Sequence, residues 1–356
     1  MVSNFITPKE PQADLKLVDL TDNRTNEEIL ESLTMHAPVI SEKNVRILGS
    51  EWTVCVLDIV PNSPNHALNP VSADLLPEAF VKGNMNGPYT GPHSADFLRG
   101  ALLYTHGGVN MDVGCLLIRH LDRLCWNELE DSNSPYEVAV PIMYCQTIAN
   151  HVVAARKRNP FIQRWHQLFT HLWKDRNGHE GISEDPLIAF AKEIGAEQAS
   201  EAKFIWDFKV SPLTVMEYIA QQTHIFCRDV LTENWGGEMT VGFEGTGQKM
   251  YALLSLKRDI DPKSAEYKRA SDLVWRLLTT SSMQKITHGK NLTHSVHLGM
   301  LWDDNSGKDC EEGTFAELLR YGTMRFRQTR EKIMCKEAAK ARLLLKKGVL
   351  EPWKMN

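Results

Sequence analysis

Residues 94–122 read SADFLRGALLYTHGGVNMDVGCLLIRHLD. Ser94 has the side-chain acceptor that suits an N-cap, and Phe97, Leu98, Ala101, Leu102, Leu103 and Tyr104 follow with helical spacing, so the run predicts a helix over 95–105. Gly107 and Gly108 end it. Val109 to Ile118 then reads as strand and carries one carboxylate, Asp112. Asp96 and Arg99 stand three apart, on one face of the helix. A helix with an acid and a base, a double-glycine turn and a strand ending near an acid make a compact place to hold an anion and a metal.

The rest of the chain sets the frame. Its 356 residues allow one large domain or two small ones, and 42% hydrophobic with 24% charged residues is ordinary globular composition. The net charge of −5 leaves no general basic footprint, so no nucleic-acid partner is expected. The strongly basic stretch is the tail, Arg325 to Lys347. The cysteines at 55, 115, 125, 145, 227, 310 and 335 form no Cys-x-x-Cys pair, which suits reduced thiols. MVSNFITPKEPQADLK has no basic flank leading into an apolar core, so it does not read as a signal peptide, and no apolar run reaches the length of a membrane span; a cytoplasmic protein, free or on a membrane face, is expected. The sequon Asn291-Leu292-Thr293 carries little weight in that setting.

Residues 1–40 read as a polar extension with a capped helix at TNEEILESL, residues 41–330 as one continuous domain, and residues 331–356 as a basic helical tail. Glu51 to Val60 (EWTVCVLDIV) predicts a buried strand, and Tyr136 to Met143 another. A short helix is expected at Pro77 to Phe80, and longer ones over Asn159–Lys174, Pro186–Ile194, Leu213–Gln221, Lys263–Ser282 and from Thr314 to Tyr321. Strands alternate with helices before residue 150 and helices dominate afterwards, so the class is an α/β core with a helical C-terminal half.

Glycosyl transfer from a sugar nucleotide makes two demands: neutralising the departing diphosphate and orienting the sugar. Mn²⁺ or Mg²⁺ prefers oxygen ligands, and Asp112 is the best metal-ligand candidate; its bland reading is a turn cap. Asp96 and Arg99 read either as a surface ion pair or as groups that meet, respectively, a sugar or ribose hydroxyl and a phosphate or sugar oxygen. Gly107 and Gly108 give the backbone close approach to a donor, and Lys285 offers a phosphate contact. His288 reads as a further metal ligand or as an ordinary surface or core residue. Asp303 and Asp304 read as a general base toward an acceptor hydroxyl or as a loop cap. His166 and His171 lack zinc-site spacing, GTGQK at 245–249 fails the P-loop pattern, and no Gly-x-Ser-x-Gly elbow exists.

The run SADFLRGALLYTHGGVNMDVG resembles the sugar-binding-region, DXD-containing glycosyltransferases of the capsular-polysaccharide-synthesis type. It is similar in particular to their fungal branch, which includes a glycosyltransferase that decorates a hopane-type triterpenoid. NPFIQRWHQLF, SSMQKITHG and GTFAELLRYG extend the likeness over residues 43–330. The resemblance implies a GT-A fold with a Rossmann-like nucleotide-binding sheet, donor contacts from Asp96 and Arg99, and Asp112 as the metal-region acid. Two departures stand out. Gly114 replaces the second acid of the motif, and the first nucleotide-binding strand expected ahead of EWTVCVLD is shortened or missing.

Three function classes follow. The leading one is a sugar transferase with a nucleotide-sugar donor and a small lipophilic or secondary-metabolite acceptor. The second is a tRNA-dependent synthase of arginine-containing cyclodipeptides on a related scaffold, for which the composition supplies little basic surface. The third is a degenerate, non-catalytic binding protein.

Overall fold

The computed structural model describes residues 15–17, 39–134, 136–140, 142–143, 147–148, 150–187, 247–285 and 311–329. Strand β1 (Leu15–Leu17) comes first, then helix α1 (Val39–Leu48). An irregular stretch leads to α2 (Glu78–Val81), α3 (Thr90–His106), β2 (Gly108–Met111) and β3 (Cys115–Leu117). A π-helical turn at Asp122–Trp126 runs into α4 (Asn127–Glu130). Strands β4 (Val138–Ala139), β5 (Ile142–Met143), β6 (Thr147–Ile148) and β7 (Val152–Ala155) precede α5 (Pro160–Leu172). Beyond them lie α6 (Gly247–Leu254), α7 (Ala265–Thr280), β8 (Met283–Lys285), α8 (Phe315–Arg325) and β9 (Phe326–Gln328).

This is a mixed α/β arrangement of helices and small sheets. The sheet that matters for the site runs β2–β7–β4, and the others pair β3 with β8, β1 with β9 and β5 with β6. Every pairing between these strands is antiparallel. The parallel contact among the described residues is an isolated bridge, Asp58 to His66.

Three helix starts follow directly from capping chemistry. Asn159 Oδ1 accepts from the backbone N–H groups of Phe161 and Ile162 at 2.9 and 3.2 Å, with Pro160 in the first turn, where a missing N–H costs nothing. Ser264 Oγ accepts from Tyr267 N, and Thr314 Oγ1 from Glu317 N, both at 3.1 Å. The predicted helix over 95–105 starts earlier than expected, at Thr90. Gly91 and Pro92 fall in its first turn, which tolerates them because those positions have no intrahelical acceptor. Ser94 is therefore no cap: its Oγ donates back to Thr90 O at 2.8 Å inside the helix.

The strand expectations need more correction. Val109 to Ile118 divides in two, because Cys115 N donates to Asp112 O at 2.9 Å and the turn sends β3 to a different sheet from β2. Tyr136 to Met143 divides likewise into β4 and β5. Glu51 to Val60 forms no strand. It ends in a side-chain turn, with Asp58 Oδ1 accepting from Val60 N at 3.0 Å and Asp58 Oδ2 from Ser63 Oγ at 2.7 Å. The helix expected at TNEEILESL, most of 186–194, all of 213–221 and the tail 331–356 lie outside the described residues.

Two apolar clusters enclose the β2–β7–β4 sheet. On one side Phe97 and Leu103 of α3 meet Phe161, Trp165, Leu168 and Phe169 of α5. The Phe97 and Phe169 ring centroids are 4.7 Å apart, and Phe97 sits edge-on to Trp173 at 5.2 Å. Gly100 lets the His166 ring lie directly against α3, and a Cβ there would collide with it. On the other side Val109 and Met111 of β2 join Leu48, Cys115, Leu124, Leu129 and Ala154. A third cluster ties α7 and α8 together around Phe315, Leu273 and Val274, with Leu15 and Ile118.

Candidate active site

The site is built where α3 ends and β2 begins. Gly107 closes the helix at φ +72°, its N–H donating to Leu103 O at 2.9 Å, and Gly108 continues at φ +90°. Both angles lie in the region that L side chains rarely adopt. Gly107 is also a close approach, since a Cβ there would stand 2.6 Å from Lys157 N in the segment after β7. The glycine pair thus turns the chain sharply while β2 docks on β7, with Gly108 opposite Ala155 and Met111 opposite Val152. Asp112 N donates to His151 O at 2.8 Å and carries the ladder one residue further.

Period-two alternation then sorts the side chains. Val109 and Met111 face the apolar cluster, and Asn110 and Asp112 share the opposite face. Arg99, on the α3 face turned toward that strand, reaches all of its polar partners at once. Its Nη1 donates to Asp96 Oδ1 at 2.5 Å, its Nη2 to Asp112 Oδ1 at 2.7 Å and its Nε to Asn110 Oδ1 at 3.0 Å. A planar guanidinium is suited to such a three-sided fork.

Exposure separates the three charged groups. The Arg99 side chain is 4% exposed, Asp96 11% and Asp112 29%. A molecule arriving from solvent therefore meets Asp112 first. Burial by itself drives the Arg99 guanidinium down, and the carboxylates of Asp112 and Asp96 more than reverse this, leaving its pKa above the ordinary arginine value. The cation is permanent.

The structure brings together Asp96, Arg99, Gly107, Gly108 and Asp112 as the spacing suggests. Lys285 closes β8 opposite Cys115, the residue that begins β3 just after the Asp112 turn. His288, Asp303 and Asp304 lie outside the described residues. Asn110 was not singled out from the sequence. Its signal was available: it stands two residues before Asp112 in a strand, on the same face. Among the described residues no three His, Cys, Asp or Glu side chains gather to hold a metal ion.

One turn before Asp96, α3 carries another titratable group. His93 is buried between Trp173 and His179, with ring centroids 5.0 and 5.5 Å away. Burial, and then the neighbouring His179, push it down to about 4. At neutral pH it is an uncharged part of the α3–α5 packing.

The proteins that the whole chain resembles are glycosyltransferases. The chain is 49% identical to a protein described as a probable glycosyltransferase FCK3 from Fusarium pseudograminearum, over 98% of this chain and 100% of that one. It is 32% identical to the O-glycosyltransferase braB of Annulohypoxylon truncatum, over 96% and 94% of the two chains. It is 30% identical to the O-glycosyltransferase PaGT of Phomopsis amygdali, over 93% and 94%. No family model and no solved structure matches it. The chain belongs to a fungal glycosyltransferase family, and it is an enzyme that transfers sugars.

The alignment with the Fusarium protein spans 394 positions, more than the 356 residues present here, so that relative carries internal segments that this chain lacks. Among the described residues no helix is long and apolar enough to cross a membrane.

Proposed function

We propose that this enzyme moves a sugar from a nucleotide-sugar donor to a hydroxyl of a small lipophilic or secondary-metabolite acceptor, a triterpenoid being one such molecule, and that it does so in the cytoplasm on a GT-A-like core. The observation that carries the reading is the buried Arg99 between Asp96 and Asp112, with Asp112 alone of the three substantially open to solvent. An oxygen-linked product is favoured by the two relatives described as O-glycosyltransferases. Val113, next in the chain after Asp112 and 65% exposed, gives the rim of the site an apolar surface suited to a lipophilic acceptor.

Asp112 faces the sugar–diphosphate part of the donor. Arg99 acts through it: with Nε, Nη1 and Nη2 all bonded to protein, the guanidinium fixes the orientation of Asp112 and is a positioning residue. This differs from the expectation that Arg99 meets phosphate itself, and its burial is the reason. Asp96 receives a sugar hydroxyl at the inner end of the site. Gly107 and Gly108 leave room for the donor, and Lys285 pairs with its phosphates. Asp303 or Asp304 takes the proton from the acceptor hydroxyl as it attacks the anomeric carbon.

One open carboxylate, with Gly114 in place of a second, suits Mg²⁺ or Mn²⁺ held by a single acid together with phosphate oxygens and water, and His288 is the additional ligand in this reading. Such a cation supplies charge neutralisation for the departing diphosphate.

The test is calorimetric titration with UDP-glucose, UDP-galactose, UDP-N-acetylglucosamine and GDP-mannose, with and without Mn²⁺. Metal-dependent binding of one of them, lost in Asp112→Asn, is the expected result. If no sugar nucleotide binds with or without the metal, the proposed reaction is wrong.

A further inference from the structure

We propose that Asn110 is a donor-binding residue whose side-chain amide N–H groups bond an oxygen of the sugar–diphosphate moiety. The inference rests on the nucleotide-sugar reading above and adds a residue to it.

The orientation of the amide is fixed by chemistry. Arg99 Nε is a donor and never an acceptor, so the atom of Asn110 facing it at 3.0 Å is Oδ1. Nδ2 is therefore on the other branch of the amide plane, directed away from Arg99. Among the described residues, the bond to Arg99 is the side-chain hydrogen bond of Asn110, and Nδ2 has no acceptor. Nor is it sealed off: the polar atoms that are buried without a partner among the described residues include Arg119 Nε and Trp173 Nε1 but not Asn110 Nδ2. Two N–H donors of a half-buried side chain are thus held by the Arg99 bond beside the more exposed carboxylate.

Strand geometry puts them on the right side. Asn110 and Asp112 are two residues apart in one extended run, so both side chains leave the same face of the sheet. Both are bonded to the same guanidinium, through Nε and Nη2. The site thereby gains a neutral donor next to a negatively charged acceptor. A sugar diphosphate offers both kinds of partner, hydroxyls for Asp112 and hydroxyl or phosphate oxygens for the amide. A preorganised amide of this kind binds at little conformational cost, since Arg99 already holds it.

Asn110→Asp keeps an oxygen for Arg99 and removes the N–H groups. The expected result is an unchanged melting temperature with roughly fivefold to tenfold weaker binding of the sugar nucleotide that wild type prefers. Titrations at about 1 M salt, where the screening length falls to about 3 Å, reduce the contribution of the added charge, and Asn110→Leu, which adds none, gives the loss from the missing donor. The weakening persists there. Parallel titration with the free nucleoside diphosphate locates the bond: affinity for it falls too when the partner is a phosphate oxygen, and holds when it is a sugar hydroxyl. Asn110→Leu removes both functions, lowering the melting temperature and weakening the donor together. Wild-type affinity of Asn110→Asp at high salt overturns the assignment and leaves Asn110 as a support for Arg99 only, with the sugar-nucleotide reading intact. Absence of sugar-nucleotide binding by wild type removes both.

Discussion

Trp52 to Asp58 and strand β2 pack against the same apolar cluster, Trp52 and Val54 from one and Val109 and Met111 from the other. They are held in different ways. Strand β2 is laddered to β7 along its full length and clamped at its end by Arg99. Among the described residues the 52–57 stretch is held by side chains, and backbone pairing begins only at Asp58: Trp52 Nε1 donates to Asp122 Oδ1 at 2.8 Å, and its ring meets Trp126 edge-on at 5.5 Å. Thr53 and Cys55 are exposed between half-buried Trp52, Val54 and Val56. The alternation of a strand is present without a sheet partner. The candidate chemistry sits on the side with the backbone ladder, where a carboxylate can be aimed and kept aimed.

Removing the clamp is the most severe way to break this contrast. Arg99→Met leaves Asp96 and Asp112 without their shared cation, and a loss of roughly 3–5 kcal/mol in urea unfolding is expected. Glycosyl transfer should fall at least as far as in Asp112→Asn. Near-normal stability would show that β7 alone anchors β2.

Acid comes next. His93 has its pKa lowered from 6.5 to about 4 in the folded protein, so the unfolded chain takes up the proton first. Stability is unaffected above pH 6.5, declines as the pH falls below that value, and reaches the full loss near pH 4. The decline expected from this group is roughly 2–3 kcal/mol. Unfolding measured across that window should be flatter in His93→Gln, and an unaltered slope would assign it to other groups.

Gly107→Ala tests the turn itself. Its φ of +72° and the nearness of Lys157 N predict a loss of about 1–3 kcal/mol, with donor affinity weakened as Asp112 shifts. The smallest effect is expected on the other side of the comparison. Thr53→Ala should stay within about 0.5 kcal/mol of wild type despite removing a β-branched residue. Hydrogen exchange sharpens the point: amides of β2 should be protected while those from Val54 to Leu57 exchange freely. Equal protection would mean that the second stretch has a partner after all.

What the sequence made legible follows from how local each signal is. Asn159, Ser264 and Thr314 mark helix starts because an N-cap bonds within three residues of itself. Asp96, Arg99 and Asp112 could be grouped because one helix face and one strand bring them together. The helix start at Thr90 was obscured by Gly91 and Pro92, which read as loop until their first-turn position is known. Strand pairing was the least visible. Val152–Ala155, the strand that supports β2, is a run of four small apolar residues with no alternation to announce it, since it is buried on both faces. The EWTVCVLDIV composition announced a strand strongly, and composition supplies no neighbour. Period-two spacing from Asp112 already placed Asn110 on the same face, whereas the three-way bonding of Arg99 is a matter of packing that no spacing announces.

The path from Thr90 to Asp112 carries the charged cluster on one helix and the strand that follows it. The ion pairs that Arg99 makes with Asp96 and Asp112 bridge 3 and 13 residues, so they form as soon as the helix docks on its own following strand. In the function proposed above, drift elsewhere in the chain can then retune which acceptor is admitted while the electrostatic floor of the cluster stays in place.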